Sequence, residues 1–243
     1  MERLDSARRG VRGGRTLARE TASQIKQLII GSKLQPGDPL PSEAELCEQL
    51  GVSRSSVREA IRTLNTLEIV EVQHGRGTFV GRASLQPLVE TLVFRAIMVP
   101  GDDFKALREV VEVRESLDLT EADRVCERLR GSRNADLHEL VDDMVAAAER
   151  GESFAEQDRE FHTRLLKHTG LDIVAQLVAA FWDVHSVVLP QLSIPAPDDI
   201  ELTARAHGDM LRAAEAGDAE AYRRAVKEHY APLRRVLQTA DHG

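Results

Sequence analysis

Asp158 and His162 stand four residues apart in a stretch that reads as a helix, so both project from one face, with Phe154, Phe161 and Leu165 on or beside it. Such neighbours imply burial. A carboxylate and an imidazole among apolar groups are costly unless they pair with each other or hold a cation. A mutual hydrogen bond is the simpler solution. Two more histidines widen the choice: His207 precedes Met210 and Leu211, and His229 stands among Val226, Tyr230 and Leu233, each in mid-helix. One Asp with three His suits a divalent transition metal such as zinc or nickel, with open positions for water or a ligand carboxylate. His168, before Thr169-Gly170, reads as a cation at a helix C-terminus, while His138, His185 and His242 have no second ligand at useful spacing.

A second set of residues suits nucleic acid. After Ser53, a candidate helix cap, the apolar residues Val57, Ile61 and Leu64 recur at helical spacing, leaving Arg54, Ser55, Ser56, Arg58 and Arg62 largely on the other faces. Arginine matches phosphate and the acceptor edge of guanine, and short serine hydroxyls bond phosphate or base without blocking entry to a groove. A solvated helix face would account for the arginines alone. The residues that follow favour the nucleic-acid reading: β-branched runs at Ile69–Val72 and Thr78–Val80 flank Gln73-His74-Gly75-Arg76-Gly77, the pattern of a hairpin with a glycine-rich tip. Two glycines let the backbone approach a narrow groove, and Arg76 brings a cation to its negative potential.

The elements that must position these residues differ between the two parts of the chain. Residues 1–15 are rich in Arg and Gly without an apolar period and are expected to be a disordered basic tail. Residues 16–81 are expected to form a helix from Thr16 to Gly31, a helix capped by Ser42 and Glu45, Gly51 as the turn, the helix after Ser53, and the hairpin. A boundary is expected at Gly81–Ser84. From residue 84 to 243, Gly and Pro punctuation divides about seven helical segments, near 84–99, 103–130, 135–150, 153–169, 171–189, 198–216 and 218–240. Ser153 with Glu156 reads as one capping box and Asp198 with Glu201 as an analogous pair. The fold class expected is mainly α: an N-terminal winged helix-turn-helix and a C-terminal antiparallel all-helical bundle.

Charge divides the same way. The net charge is −8, yet residues 1–82 hold 13 basic against 10 acidic residues, a balance of +3, leaving 19 basic and 30 acidic residues beyond, a balance of −11. Only the first part suits a phosphate backbone; the second suits ligand sensing or self-association. Cys47 and Cys126 lie far apart, with no spacing that suggests a disulfide framework or a thiolate zinc site. No apolar run approaches the ~18 residues of a membrane helix, so a cytoplasmic protein is expected.

Leu34-Gln-Pro-Gly-Asp38, Leu40-Pro-Ser-Glu43, the Gly51–Ala60 stretch and the wing resemble the GntR-type winged helix-turn-helix regulators. The resemblance implies that Ser53, Arg54, Ser55, Ser56 and Arg58, with His74 and Gly75 at the wing tip, touch DNA. Ala44 departs from the pattern, since many relatives carry a DNA-contacting Arg there. Glu112-Val-Arg114, Asp158-Arg-Glu-Phe-His162, His207 and Lys227-Glu-His229 resemble the FadR-type effector domain, an antiparallel helical bundle. That resemblance implies that Asp158, His162, His207 and His229 bind a divalent metal, and that Arg114 pairs with the carboxylate of a small organic acid. An intrahelical pair with Asp118 or Glu115 is the alternative for Arg114. Trp182 is a candidate for lining the same cavity, against simple core packing.

The reading that follows is a ligand-responsive regulator, a homodimer on double-stranded, pseudo-palindromic operator DNA, released by a small carboxylate such as a sugar acid or hydroxy acid. The alternatives are a metal sensor and a metalloenzyme with a DNA-binding appendage. Against the enzyme, no general base stands beside the ligands; Glu160, two residues from each of Asp158 and His162, should face elsewhere on its helix.

Overall fold

The computed structural model describes residues 2–98, 105–191 and 200–239, with eleven helices and one two-stranded antiparallel hairpin among them. The chain divides into two compact units at Pro87/Leu88, within α4 (Gln86–Met98).

In the first unit the caps decide where helices begin. Ser42 and Glu45 form the expected capping box, with Ser42 N–H donating to Glu45 Oε2 at 2.8 Å, and open α2 (Glu43–Leu50). Gly51 closes α2 in the left-handed conformation, φ 66°, which an L side chain adopts only at a cost. Ser53 then caps α3 (Arg54–Thr66), accepting from Ser56 N–H at 3.2 Å. The apolar faces of α1 (Glu2–Gly31), α2 and α3 bury Ile25, Leu46, Val57, Ala60 and Leu64 against one another and against Val70 and Val80 of the hairpin. That hairpin pairs β1 (Val70–Gln73) with β2 (Gly77–Val80), Val70 opposite Val80 and Gln73 opposite Gly77. Leu40 N–H donates to Thr78 O and Val80 N–H to Asp38 O, so the segment before α2 lies along β2. Gly81 ends the wing in van der Waals contact with backbone: an added Cβ would stand 2.2 Å from Glu68 O, so no larger residue fits.

One expectation changes here. Helix α1 starts at Glu2, where the sequence predicts a disordered tail to Arg15. No proline interrupts it, and its Arg, Leu, Ala and Glu residues are strong helix formers that offset Gly10, Gly13 and Gly14.

The second unit is a helical bundle. Its helices after α4 are α5 (Lys105–Thr120), α6 (Ala122–Leu129), α7 (Ala135–Glu149), α8 (Ala155–Lys167), α9 (Asp172–Gln191), α10 (Ile200–Ala216) and α11 (Ala219–Thr239). Helix α10 packs on α11, α7 and α6, while α8 packs on α7 and α9, and α5 on α9 and α11. Leu107, Leu129, Leu137, Met144, Phe161, Leu165 and Tyr222 are fully buried between them.

Two boundaries differ from those expected. The segment 103–130 is two helices, broken after Thr120, whose hydroxyl donates to Ser116 O at 2.7 Å; such a bond back to the preceding turn favours a bend. The Ser153–Glu156 capping box does not form, because α8 starts one residue later, with buried Phe154 at the cap position and no side-chain cap. Core packing of Phe154 outweighs the cap. Asp198 lies outside the described residues.

Glu215 clamps α10 to the start of α7. Its Oε1 accepts from Asn134 N–H at 2.8 Å and from the Asn134 amide at 3.1 Å, and its Oε2 faces His138 Nε2 at 3.0 Å. Burial works against the charge, but the Asn134 backbone N–H, then the His138 and Asn134 side chains, hold the carboxyl below its ordinary 4.5. A depressed acid contributes stability above its unfolded pKa, and that stability is lost as pH falls through the folded one. Glu215→Gln is therefore expected to cost about 1–3 kcal/mol at pH 7 in urea melts, a difference that closes as the wild-type carboxyl takes up its proton. A cost that persists unchanged in acid would show that the charge is not what clamps the two helices.

Candidate metal centre and DNA-facing helix

Helix α8 brings Asp158 and His162 to one buried face, α10 brings His207 and α11 brings His229. Ring centroids lie 4.4 Å apart for His207 and His229, 4.8 Å for His162 and His229, and 5.2 Å for His162 and His207. Edge contact of Phe161 with the rings of His162 and His207 closes the apolar side. Each of the four residues offers a ligand atom, and these lie within 4.8 Å of one another. Atoms about 2 Å from one cation stand about 3–4 Å apart, so small shifts of the side chains would suffice.

Hydrogen bonding carries the fit further. His207 Nδ1 donates to Thr203 O at 2.8 Å, which fixes the tautomer and leaves Nε2 with a lone pair and no partner. His162 Nδ1 and Nε2 and His229 Nδ1 are likewise buried without a hydrogen-bond partner. Unpaired buried ring nitrogens cost stability, and a cation would take up one from each of the three rings. The expected alternative of a simple Asp158–His162 hydrogen bond is not what forms: the closest approach is 3.5 Å, and His207 Nε2 stands as near to the same oxygen. Burial, then the neighbouring rings of His207 and His162, push His229 well below its usual range, so it stands neutral and able to ligate.

Around the four lies a shell that the sequence only partly discloses. Trp182 on α9 is buried and donates its indole N–H to Asp158 Oδ1 at 3.1 Å, so it orients a ligand as well as packing. Arg114 on α5 is 2% exposed and lies over the rings of Trp182 and Tyr230, its Cζ 5.7 and 5.5 Å from their centroids. Its Nε has no partner. The intrahelical pair is not formed: Glu115 binds Arg234 at 2.6 Å, and Asp118 accepts from Tyr230 at 2.8 Å and faces His162 Nδ1 at 3.3 Å. From the sequence Asp118 figures only as an alternative pair for Arg114, His185 as a histidine with no second ligand, and Tyr230 as a neighbour of His229. Asp118 stands one turn after Arg114, Tyr230 follows His229, and His185 stands one turn after Trp182. Glu160 turns to Arg164 at 2.6 Å.

In the first unit, Arg54, Ser55 and Arg58 are exposed on α3, and Arg58 Nε binds Glu43 Oε2 at 2.8 Å. Ser56 is placed differently from the expectation. It is 7% exposed, and its hydroxyl and that of Ser55 each lie 2.9 Å from Ser53 Oγ. The cap draws Ser56 inward, one turn after Ser53. His74, Gly75 and Arg76 form the wing tip, where Gly75 has φ 75° and the Arg76 guanidinium lies 5.6 Å from the Phe79 ring centroid.

Residues 17–80 match the family described as bacterial regulatory proteins, gntR family, and residues 109–232 match the FCD domain. The chain belongs to the GntR family, with an FCD domain. It is 43% identical over 106 residues to NedR of Micromonospora viridifaciens, named as a transcriptional regulatory protein, covering 44% of this chain and 76% of that one. It is 27% identical over 213 residues to the galactonate operon transcriptional repressor of Escherichia coli, covering 88% and 93%. Among solved structures, a GntR protein of Streptococcus agalactiae superposes with a TM-score of 0.63 at 26% identity, covering 90% of this chain and 99% of that one. GntR-family members of this type are DNA-binding transcriptional regulators rather than enzymes. FCD domains often bind a metal, and the Asp158 set could hold one. None of the described helices of this GntR-family chain is long and apolar enough to cross a membrane.

Proposed function

We propose that this GntR-family regulator is a cytoplasmic homodimeric repressor that leaves a pseudo-palindromic operator when a small organic acid binds its FCD domain. The observation that carries the reading is the set of buried ring nitrogens without partners on three helices, with the unpaired Arg114 Nε beside them. Asp158, His162, His207 and His229 would hold a divalent transition metal, zinc or nickel, which supplies open positions and positive charge for a carboxylate. Arg114 supplies the second cation, already desolvated and held over the rings of Trp182 and Tyr230, so that a carboxylate meets a fixed guanidinium fork. The relative named for the galactonate operon supports a sugar acid as the class. On the DNA side, Ser53, Arg54, Ser55 and Arg58 of α3, with His74, Gly75 and Arg76 of the wing, are proposed to touch the duplex; Ser56 supports the cap.

Metal alone as the signal is disfavoured by Arg114, since a guanidinium cannot ligate a cation and gains nothing from one. The test combines chelation with a thermal-shift and operator-release screen of sugar acids and hydroxy acids. Release is expected from an acid plus metal, and from neither alone. Release by metal alone would establish the sensor, and no release under any condition would defeat the acid reading.

A further inference from the structure

His185 is the unexplained residue of the bundle. Both of its ring nitrogens are shut off from solvent without a hydrogen-bond partner, although a titratable ring so placed ordinarily finds one. It belongs to no ligand set: the group that could hold a metal is Asp158, His162, His207 and His229. Yet it stands at the same place in the fold, one turn from Trp182 on α9, with the two rings edge to face at 5.7 Å. Trp182 in turn bonds Asp158 and lies under Arg114.

Counting the orphaned atoms separates two demands. A cation would take one nitrogen from each of His162, His207 and His229, with Asp158. That leaves the second nitrogen of His162, which faces the Asp118 carboxylate at 3.3 Å, and, about the Trp182 ring, Arg114 Nε and the two nitrogens of His185; a cation cannot satisfy the arginine. About the Trp182 ring, then, stand a donor that asks for an anion and a ring that offers one N–H and one lone pair. Burial, aided by the Arg114 cation and opposed by Asp158, moves His185 down to about 3, so the ring is neutral and keeps both roles. A carboxylate cannot use an acceptor nitrogen. A hydroxyl can use either nitrogen, accepting from the N–H or donating to the lone pair.

We propose that His185 reads a hydroxyl group on the effector, so that the site selects hydroxy acids over the same acids lacking the hydroxyl. The proposal rests on the organic-acid reading and adds its selectivity. Arg114 anchors the carboxylate, and His185, at the edge of the same Trp182 ring, binds the alcohol.

The test uses the full zinc-loaded chain and isothermal titration with propionate, lactate and glycerate, which share a three-carbon acid and differ in hydroxyls. Wild type is expected to bind lactate or glycerate about tenfold more tightly than propionate, the effect of one to two buried hydrogen bonds. His185→Phe is expected to bring the dissociation constants within about twofold of one another while zinc stoichiometry and propionate binding persist. His185→Gln, which keeps a donor and an acceptor, is expected to recover part of the preference. If His185→Phe discriminates as wild type does, His185 has no such role and the acid reading stands. If zinc-loaded wild type binds none of the three acids and no sugar acid, both readings fall.

Discussion

Replacing His207 or His229 by alanine is expected to lower metal affinity by at least about 100-fold and to remove the stabilisation that metal gives. Each histidine comes from its own helix, α10 or α11, while Asp158 and His162 share α8, so a bound cation ties three helices together. Metal at ~100 times its dissociation constant stabilises by about 2.7 kcal/mol, which in a chain of this size raises the melting temperature by about 5–10 °C. The variants should melt at the same temperature with and without metal. His207→Ala also removes the Nδ1 hydrogen bond to Thr203 O and empties a fully buried site, so its metal-free melting point should fall as well. His138→Ala serves as control, since His138 pairs with Glu215 away from the four ligands and should keep full metal content. Full occupancy and an undiminished metal-induced shift in both ligand variants would reduce His207 and His229 to core residues.

Local spacing discloses some of this centre and tertiary packing the rest. Asp158 and His162 are legible because a four-residue step on a helix fixes a shared face whatever the fold. His207 and His229 are separated from them by whole helices, so only a resemblance could join them before the structure. Asp118 shows the limit most clearly. Its partners are His162 and Tyr230, on α8 and α11, and nothing near it in sequence asks for either. His185 was set aside because ligand spacing was sought within its own helix, while its surroundings come from α5 and α8 as well. The winged unit was more legible, since capping boxes, glycine turns and a short hairpin are local devices. Even there Ser56 was read as outward from Val57, Ile61 and Leu64 alone, although it stands four residues before buried Ala60 on the same face and also touches the Ser53 cap. At Ser153 the opposite occurred: a good local signal yielded to burial of Phe154.

Arg54→Ala is expected to weaken operator binding by about 1–3 kcal/mol, and Arg58→Ala by less, although the two side chains are exposed on the same helix. The difference lies in Glu43. Arg58 Nε is 2.8 Å from the Glu43 carboxylate, so a contact with DNA must give up that pair or share the guanidinium with it, and the carboxylate itself repels phosphate. The pair is well exposed, 64% for Arg58 and 43% for Glu43, so breaking it costs little, but its removal also returns little. Glu43→Gln should therefore strengthen binding modestly and steepen the effect of Arg58→Ala, whereas it should leave the effect of Arg54→Ala alone. With a genomic fragment retained by the wild-type chain as probe, anisotropy titrations over a range of salt would separate the cases: a phosphate contact lowers the salt slope by about 1 when removed, and a base contact relaxes sequence preference instead. Unchanged affinity and unchanged slope in both arginine variants would place the DNA-reading surface elsewhere than on α3.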